Sequence, residues 1–276
     1  MNFRSIFTVW DGRDEGRAAM DLAIRMARDV DGHLDVLCLS PTAPDTLYAA
    51  DASVQVLMDL ATTAKGEAEE LKTEALGMTD SGGVIASVRA MPMRYSEVSS
   101  VVGREAMFHD LIVLPQPFGG ESDDAAELTL DGALFETHTP VLVCPPKAVE
   151  DFGRRIMVAW NGDQEAMRAI RAALPLMKKA DQVEIVMVEP QRSGQAGTPS
   201  FGLMTMLTRH GVNALLSPIS RTSERISETL RQKARDMDAD MIVMGAYGHS
   251  RFRERLFGGA TREMLKDTEL PVLMTH

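Results

Sequence analysis

The residues best suited to chemistry lie between Asp240 and Thr261, in the run DMIVMGAYGHSRFRERLFGGAT. Met241 to Met244 reads as a short buried strand, and Gly245 and Gly248 follow it. After nine intervening residues come Gly258 and Gly259, then Ala260 and Thr261, where a helical pattern begins. Glycines at the end of a strand let backbone N–H groups approach an anion with no Cβ in the way. A helix starting at Gly259 aims unpaired N–H groups and the positive end of its dipole at the same place. Thr261 adds a hydroxyl. The pattern is that of a phosphate cradle made from two separate turns. The P-loop Gly-x4-Gly-Lys-Ser/Thr and the dinucleotide turn Gly-x-Gly-x2-Gly are both missing.

Other chemistry is thin. The histidines (His33, His109, His138, His210, His249, His276) have no metal-site spacing, and Cys38 and Cys144 form no ligand pair, so no metal site is assigned. There is no Gly-x-Ser-x-Gly elbow. No catalytic residue is assigned. His249 lies in the cradle loop within reach of a phosphate, and Arg251, Arg253, Arg255 and Arg262 stand beside the glycines. Thr79-Asp80-Ser81-Gly82-Gly83 reads as a turn. Asp236, Asp238 and Asp240 read as solvated carboxylates at a helix end.

The elements that must position the cradle repeat along the chain. Each half opens with an apolar strand ending in a tryptophan, Trp10-Asp11-Gly12 and Trp160-Asn161-Gly162, 150 residues apart. Asp110 to Leu114 answers Asp240 to Met244 at an offset of 130, and Pro140-Val141-Leu142 answers Pro271-Val272-Leu273 at 131. About twenty extra residues therefore sit in the first copy, mostly in its long second helix. Residues 1–146 and 154–276 form the two domains, joined by Pro145-Pro146-Lys147 to Gly153. Strands alternating with helices predict parallel sheets with right-handed crossovers.

Composition bounds what such a chain does. Its 276 residues are 45% hydrophobic and 25% charged, as in globular proteins, and its net charge of −11 argues against nucleic-acid binding. No run approaches the roughly 18 apolar residues of a membrane helix, and the N-terminus lacks a signal-peptide core. Two isolated cysteines in apolar runs fit a reducing cytoplasm.

The spacing Gly245-x2-Gly248-x9-Gly258, with Thr261 three residues on, resembles the ATP-binding signature of universal stress proteins of the UspA type. The repeat extends the resemblance over nearly the whole chain. It departs at Gly259, where the family has Ser or Thr, and at Asn161, where the family has Asp. The resemblance implies two tandem doubly wound α/β domains, each a five-stranded parallel sheet of order 3-2-1-4-5. In such sheets a ligand crevice opens at the carboxyl ends of strands one and four. It implies ATP or another adenine nucleotide, with or without Mg²⁺, held by Asn161, Gly245, Gly248, His249, Gly258, Gly259, Ala260 and Thr261. Ala159 and Val188 would line the adenine pocket. It implies a regulatory role in stress response through an unknown protein partner. It also implies an intramolecular pseudo-dimer in which the strands at Pro140–Cys144 and Pro271–His276 pair antiparallel, with further homodimerisation open. The alternatives are a nucleotide-free interaction protein and a slow nucleotide hydrolase.

The first copy keeps the acid, Asp11, and loses the cradle. Pro115 replaces the first glycine, Pro117 and Phe118 fill the next turn, and Asp123-Asp124 add negative charge. Proline has no N–H to offer. Gly119-Gly120 and Gly132 read as turns, and the first half is expected not to bind ATP.

Overall fold

The computed structural model describes residues 3–41, 54–118, 124–147, 149–188, 198–248 and 259–276. The chain divides into two compact units, Asn2–Ala148 and Val149–His276. The first contains β1 (Ser5–Trp10), α1 (Asp14–Arg28), β2 (His33–Pro41), α2 (Val54–Gly82), β3 (Ile85–Met93), α3 (Val98–Ala106), β4 (Leu111–Pro115), α4 (Asp124–Phe135) and β5 (Val141–Cys144). The second contains β6 (Arg155–Ala159), α5 (Gln164–Met177), β7 (Gln182–Val188), α6 (Thr198–Arg209), β8 (Ala214–Ile219), α7 (Ile226–Asp236), β9 (Met241–Gly245), α8 (Ala260–Asp267) and β10 (Val272–Thr275).

Each unit is a five-stranded sheet in the order 3-2-1-4-5, as the family resemblance implies: β3-β2-β1-β4-β5 in the first and β8-β7-β6-β9-β10 in the second. Within each unit the described pairings are parallel. The central strands are apolar throughout because helices cover both faces. Ile6, Phe7, Leu111, Ile112 and Val113 are fully buried in the first unit, as are Ile156, Met157, Val158, Met241 and Val243 in the second.

The alignment of the inner strands is fixed at their amino ends by a carboxylate. Asp110 Oδ2 accepts the N–H groups of Arg4 and Ser5 at 2.9 and 3.0 Å. Asp240 does the same for its copy, accepting from Gly153 at 2.8 Å, Arg154 at 3.1 Å and Arg155 at 3.0 Å. Asp240 is therefore a backbone anchor, not the free solvated acid expected from its position after a helix.

Other local expectations change too. The extra length of the first copy is in α2, 29 residues against 12 in α6. Thr79, Asp80 and Ser81 belong to the last turn of α2, with the Thr79 hydroxyl donating to Ala75 O, and not to a free turn. Gly132 lies inside α4, not in a turn. A Cβ there would stand 2.3 Å from Ser99 O, so glycine is what lets α4 lie against the start of α3.

Both cysteines are buried free thiols. Burial pushes the Cys38 and Cys144 thiols up to about 12. Two outcomes follow. Neither thiol reacts with a thiol-exchange reagent in the native protein at pH 8, and both react once denaturant is added; absorbance of the released chromophore reports this. Gly132→Ala lowers the free energy of unfolding by about 1–3 kcal/mol, read from urea melts, because the helices must move apart.

Candidate functional site

In the second unit β6 and β9 are neighbours, and the carboxyl ends of such a pair are where an open α/β sheet places its ligand crevice. Ala159 and Val188 end β6 and β7 there, both partly exposed. Next to Ala159, the chain leaves the sheet at Asn161. Asn161 Oδ1 accepts the Asp163 N–H at 3.1 Å, and its Nδ2 donates to Asp163 Oδ2 at 2.6 Å. This short side-chain turn, with Gly162 at φ +89°, leads the chain into α5. The amide expected to meet a nucleoside thus already serves Asp163 with both of its ends, the backbone through Oδ1 and the carboxylate through Nδ2.

From the other side comes β9. Gly245 is packed against the start of α5, where a Cβ would stand 2.5 Å from the Ala166 N atom and 2.9 Å from Glu165 Cβ. Helix contact alone therefore requires glycine at this position. After it the Ala246 N–H donates to Thr275 O at 2.8 Å, and Tyr247 takes a left-handed conformation, φ +53°. Gly248 is exposed. A Cβ on it would meet Glu165 Oε2 at 3.4 Å and Asp163 Oδ2 at 3.5 Å, so two carboxylates flank it. Arg168 partly offsets them, 3.1 Å from Glu165 Oε1.

Gly259 caps α8 in an extended conformation, and the helix begins at Ala260. The amides of Ala260 and Thr261 therefore fall in the first turn, where helices leave N–H groups without internal partners. Thr261 is buried, and its Oγ1 accepts the Tyr247 N–H at 3.2 Å. That bond ties the strand-end turn to the helix start. Opposite, Ser227 Oγ and Arg225 Nε hold Glu263 at 2.9 and 3.4 Å, fixing α8 to α7. His249 and Gly258 lie outside the described residues, as do Arg251, Arg253 and Arg255. Among the described residues no group of three or more His, Cys, Asp or Glu could hold a metal ion, and no helix is long and apolar enough to cross a membrane.

Sequence reasoning missed Asp163, Glu165 and Tyr247. Asp163 carried a signal, since Asn followed two residues later by a helix start is a side-chain turn pattern. Glu165 carried none, because only packing of α5 on β9 brings it to Gly248, and Tyr247 carried none, because its N–H meets Thr261 only where α8 returns to the end of β9. The fit with a phosphate is mixed. First-turn amides and an open Gly248 favour an anion, while the Asp163 and Glu165 carboxylates disfavour one that arrives without a cation.

The two glycines separate packing from ligand access. Gly245→Ala destabilises by about 1–3 kcal/mol in urea unfolding, whereas Gly248→Ala stays within about 0.5 kcal/mol. Thr261→Val removes the acceptor of a part-buried N–H and costs about 1–3 kcal/mol in the same measurement.

Residues 153–276 match the model of the Universal stress protein family. No curated protein matches the chain. Among solved structures, a universal stress protein from Archaeoglobus fulgidus DSM 4304 is similar over 99% of this chain and 98% of its own, at 15% identity and a TM-score of 0.73. One described as a universal stress protein from Pseudomonas aeruginosa UCBPP-PA14 is similar over 98% of this chain and 92% of its own, at 17% identity and a TM-score of 0.58. A shorter Arabidopsis thaliana protein of the same family, with AMP bound, covers 52% of this chain and 93% of its own at 12% identity and a TM-score of 0.35; the AMP is that protein's ligand. Residues 153–276 are therefore a domain of the universal stress protein family, and over nearly its whole length the chain has the fold of a solved universal stress protein.

Proposed function

We propose that the second unit binds an adenine nucleotide, ATP with Mg²⁺, in the crevice between β6 and β9, and that the bound state governs docking of a protein partner under stress. One observation carries the reading: the Thr261 hydroxyl holds the Tyr247 N–H at 3.2 Å. The turn after β9 and the first turn of α8 are thereby fastened side by side. Amide donors of the two bends can then meet one triphosphate. Gly248, Gly259, Ala260 and Thr261 are the residues proposed to meet the phosphates, and Ala159 and Val188 to border the base.

The cation follows from charge. Asp163 Oδ2 and Glu165 Oε2 lie 3.5 and 3.4 Å from where a Gly248 Cβ would be. A bare triphosphate beside them would be repelled, and Mg²⁺ would screen the two sets of oxygens from each other. Asn161, already engaged in its turn, is proposed to offer the nucleoside its remaining Oδ1 lone pair. The two buried free thiols support a reducing compartment, which we take to be the cytoplasm.

Calorimetry on the purified chain tests the proposal. ATP binds with one site per chain, and chelating Mg²⁺ weakens it at least about tenfold. Gly248→Asp adds a third carboxylate and abolishes binding while leaving the urea midpoint near wild type. Full-strength ATP binding by Gly248→Asp overturns the site. Absence of any nucleotide binding by the wild type favours a nucleotide-free interaction protein instead.

A further inference from the structure

The first unit has its own crevice, and its chemistry is different. A cavity of about 260 Å³ lies at the carboxyl ends of β1, β2 and β4. Four of its lining residues are counterparts of residues at the carboxyl ends of the second unit's strands. Val9 stands where Ala159 does, Asp11 where Asn161 does, and Pro115 where Gly245 does. Leu39 matches Val188, since β1 pairs Trp10 with Cys38 and β6 pairs Ala159 with Val186. Each replacement either adds apolar surface or removes a donor.

Three features disqualify an anion. Pro115 has no N–H, and the Gln116 N–H is spent on Cys144 O at 3.0 Å. Helix α4 starts at Asp124, five residues ahead of Thr129, the counterpart of Ala260, and lines the cavity with Ala125, Ala126 and Thr129, so the residue at the matching position lies inside the helix instead of opening it. Backbone N–H groups at Thr129 are therefore used inside the helix. The first turn of α4 itself carries Asp124 and Glu127.

What remains is a largely apolar wall whose polar groups are the Asp11–Arg13 pair, Tyr95 and Thr129. Asp11 forms a pair with Arg13, accepting Nε at 2.8 Å and the Arg13 N–H at 3.1 Å. The pair carries no net charge, and a carboxylate has more lone-pair sites than these bonds use. Leu39, Pro115 and Ala126 supply flat apolar contact. The volume is below the ~300–1,000 Å³ of sites for drug-sized ligands, which restricts the occupant to a small molecule.

We propose that the first unit is a binding site for a small uncharged ring compound with one hydroxyl or N–H donor, the ring lying between Leu39, Pro115 and α4 and the donor on Asp11. The site is independent of nucleotide binding in the second unit. A chain with one nucleotide crevice and one neutral-ligand crevice would respond to two chemically unlike signals.

The test uses indole, phenol and benzyl alcohol as neutral probes, with indole-3-acetate and benzoate as matched anions. Calorimetry and ligand-observed NMR are run on the full chain. At least one neutral probe binds with one site per chain, at least about tenfold tighter than its matched anion. Ala126→Phe, a substitution on a half-buried helix face, fills the cavity and abolishes this binding with an unchanged melting temperature. Asp11→Ala weakens it about tenfold and narrows the preference over the anion. Nucleotide binding by the second unit is unaffected by Ala126→Phe. The proposal is overturned if no neutral probe binds at millimolar concentration. It is equally overturned if the anions bind as well, or if Ala126→Phe melts like wild type and still binds.

Discussion

A carboxylate at the start of the fourth strand of each unit holds the fold in register. Asp110 and Asp240 accept the backbone N–H groups that open β1 and β6, and their own N–H groups donate back to Ser5 O and Arg155 O at 2.8 and 2.9 Å. These reciprocal bonds align the two central strands at their amino ends. Everything at the carboxyl ends depends on that alignment. Strands one and four are adjacent, but the helices after them belong to opposite faces, so a crevice must open between them. Hydrogen bonds to charged groups are worth about 1.5–3 kcal/mol each, enough to choose one register over a slipped one.

On this shared frame the two units have diverged in donors and charge. In the second, Gly259 ends the loop and α8 begins at Ala260, so a helix start faces the crevice. In the first, α4 begins earlier, so Thr129 stands inside the helix where Ala260 opens α8, and proline replaces glycine at the end of β4. The side-chain turn after the first strand survives in both, as Asp11 to Arg13 and as Asn161 to Asp163, with matching 3.1 Å bonds. Its second residue has changed from arginine to aspartate. One crevice is therefore capped by a neutral pair and the other by carboxylates.

The tryptophans record the same divergence in the core. Trp10 Nε1 donates to Glu74 on the long α2 at 3.2 Å. Trp160 is equally buried, but its Nε1 has no acceptor among the described residues. The shorter α6, 12 residues, offers no described counterpart of Glu74. Among the described residues the longer helix thus satisfies this buried donor in the first copy and nothing does in the second, and an unmade buried hydrogen bond is costly.

Much of the molecule was legible in its sequence. Apolar runs ended by Trp-Asp-Gly and Trp-Asn-Gly marked two first strands, and the offset between them exposed the duplication. Pro115 in place of Gly245 announced that the first copy had lost its backbone donors, since proline acts through a local property. Four things were decided only by tertiary structure. Gly132 and Gly245 are glycines because a backbone from another element occupies the place of their Cβ atoms. Asp240 is an anchor because β6 begins beside it. Thr261 serves Tyr247, fourteen residues away, because α8 returns to the end of β9. The first-unit cavity exists because β1, β2, β4 and α4 end around one point. Sequence fixes what each residue offers locally; which atoms it meets is set by chain segments far away, and their approach is a property of the folded packing alone.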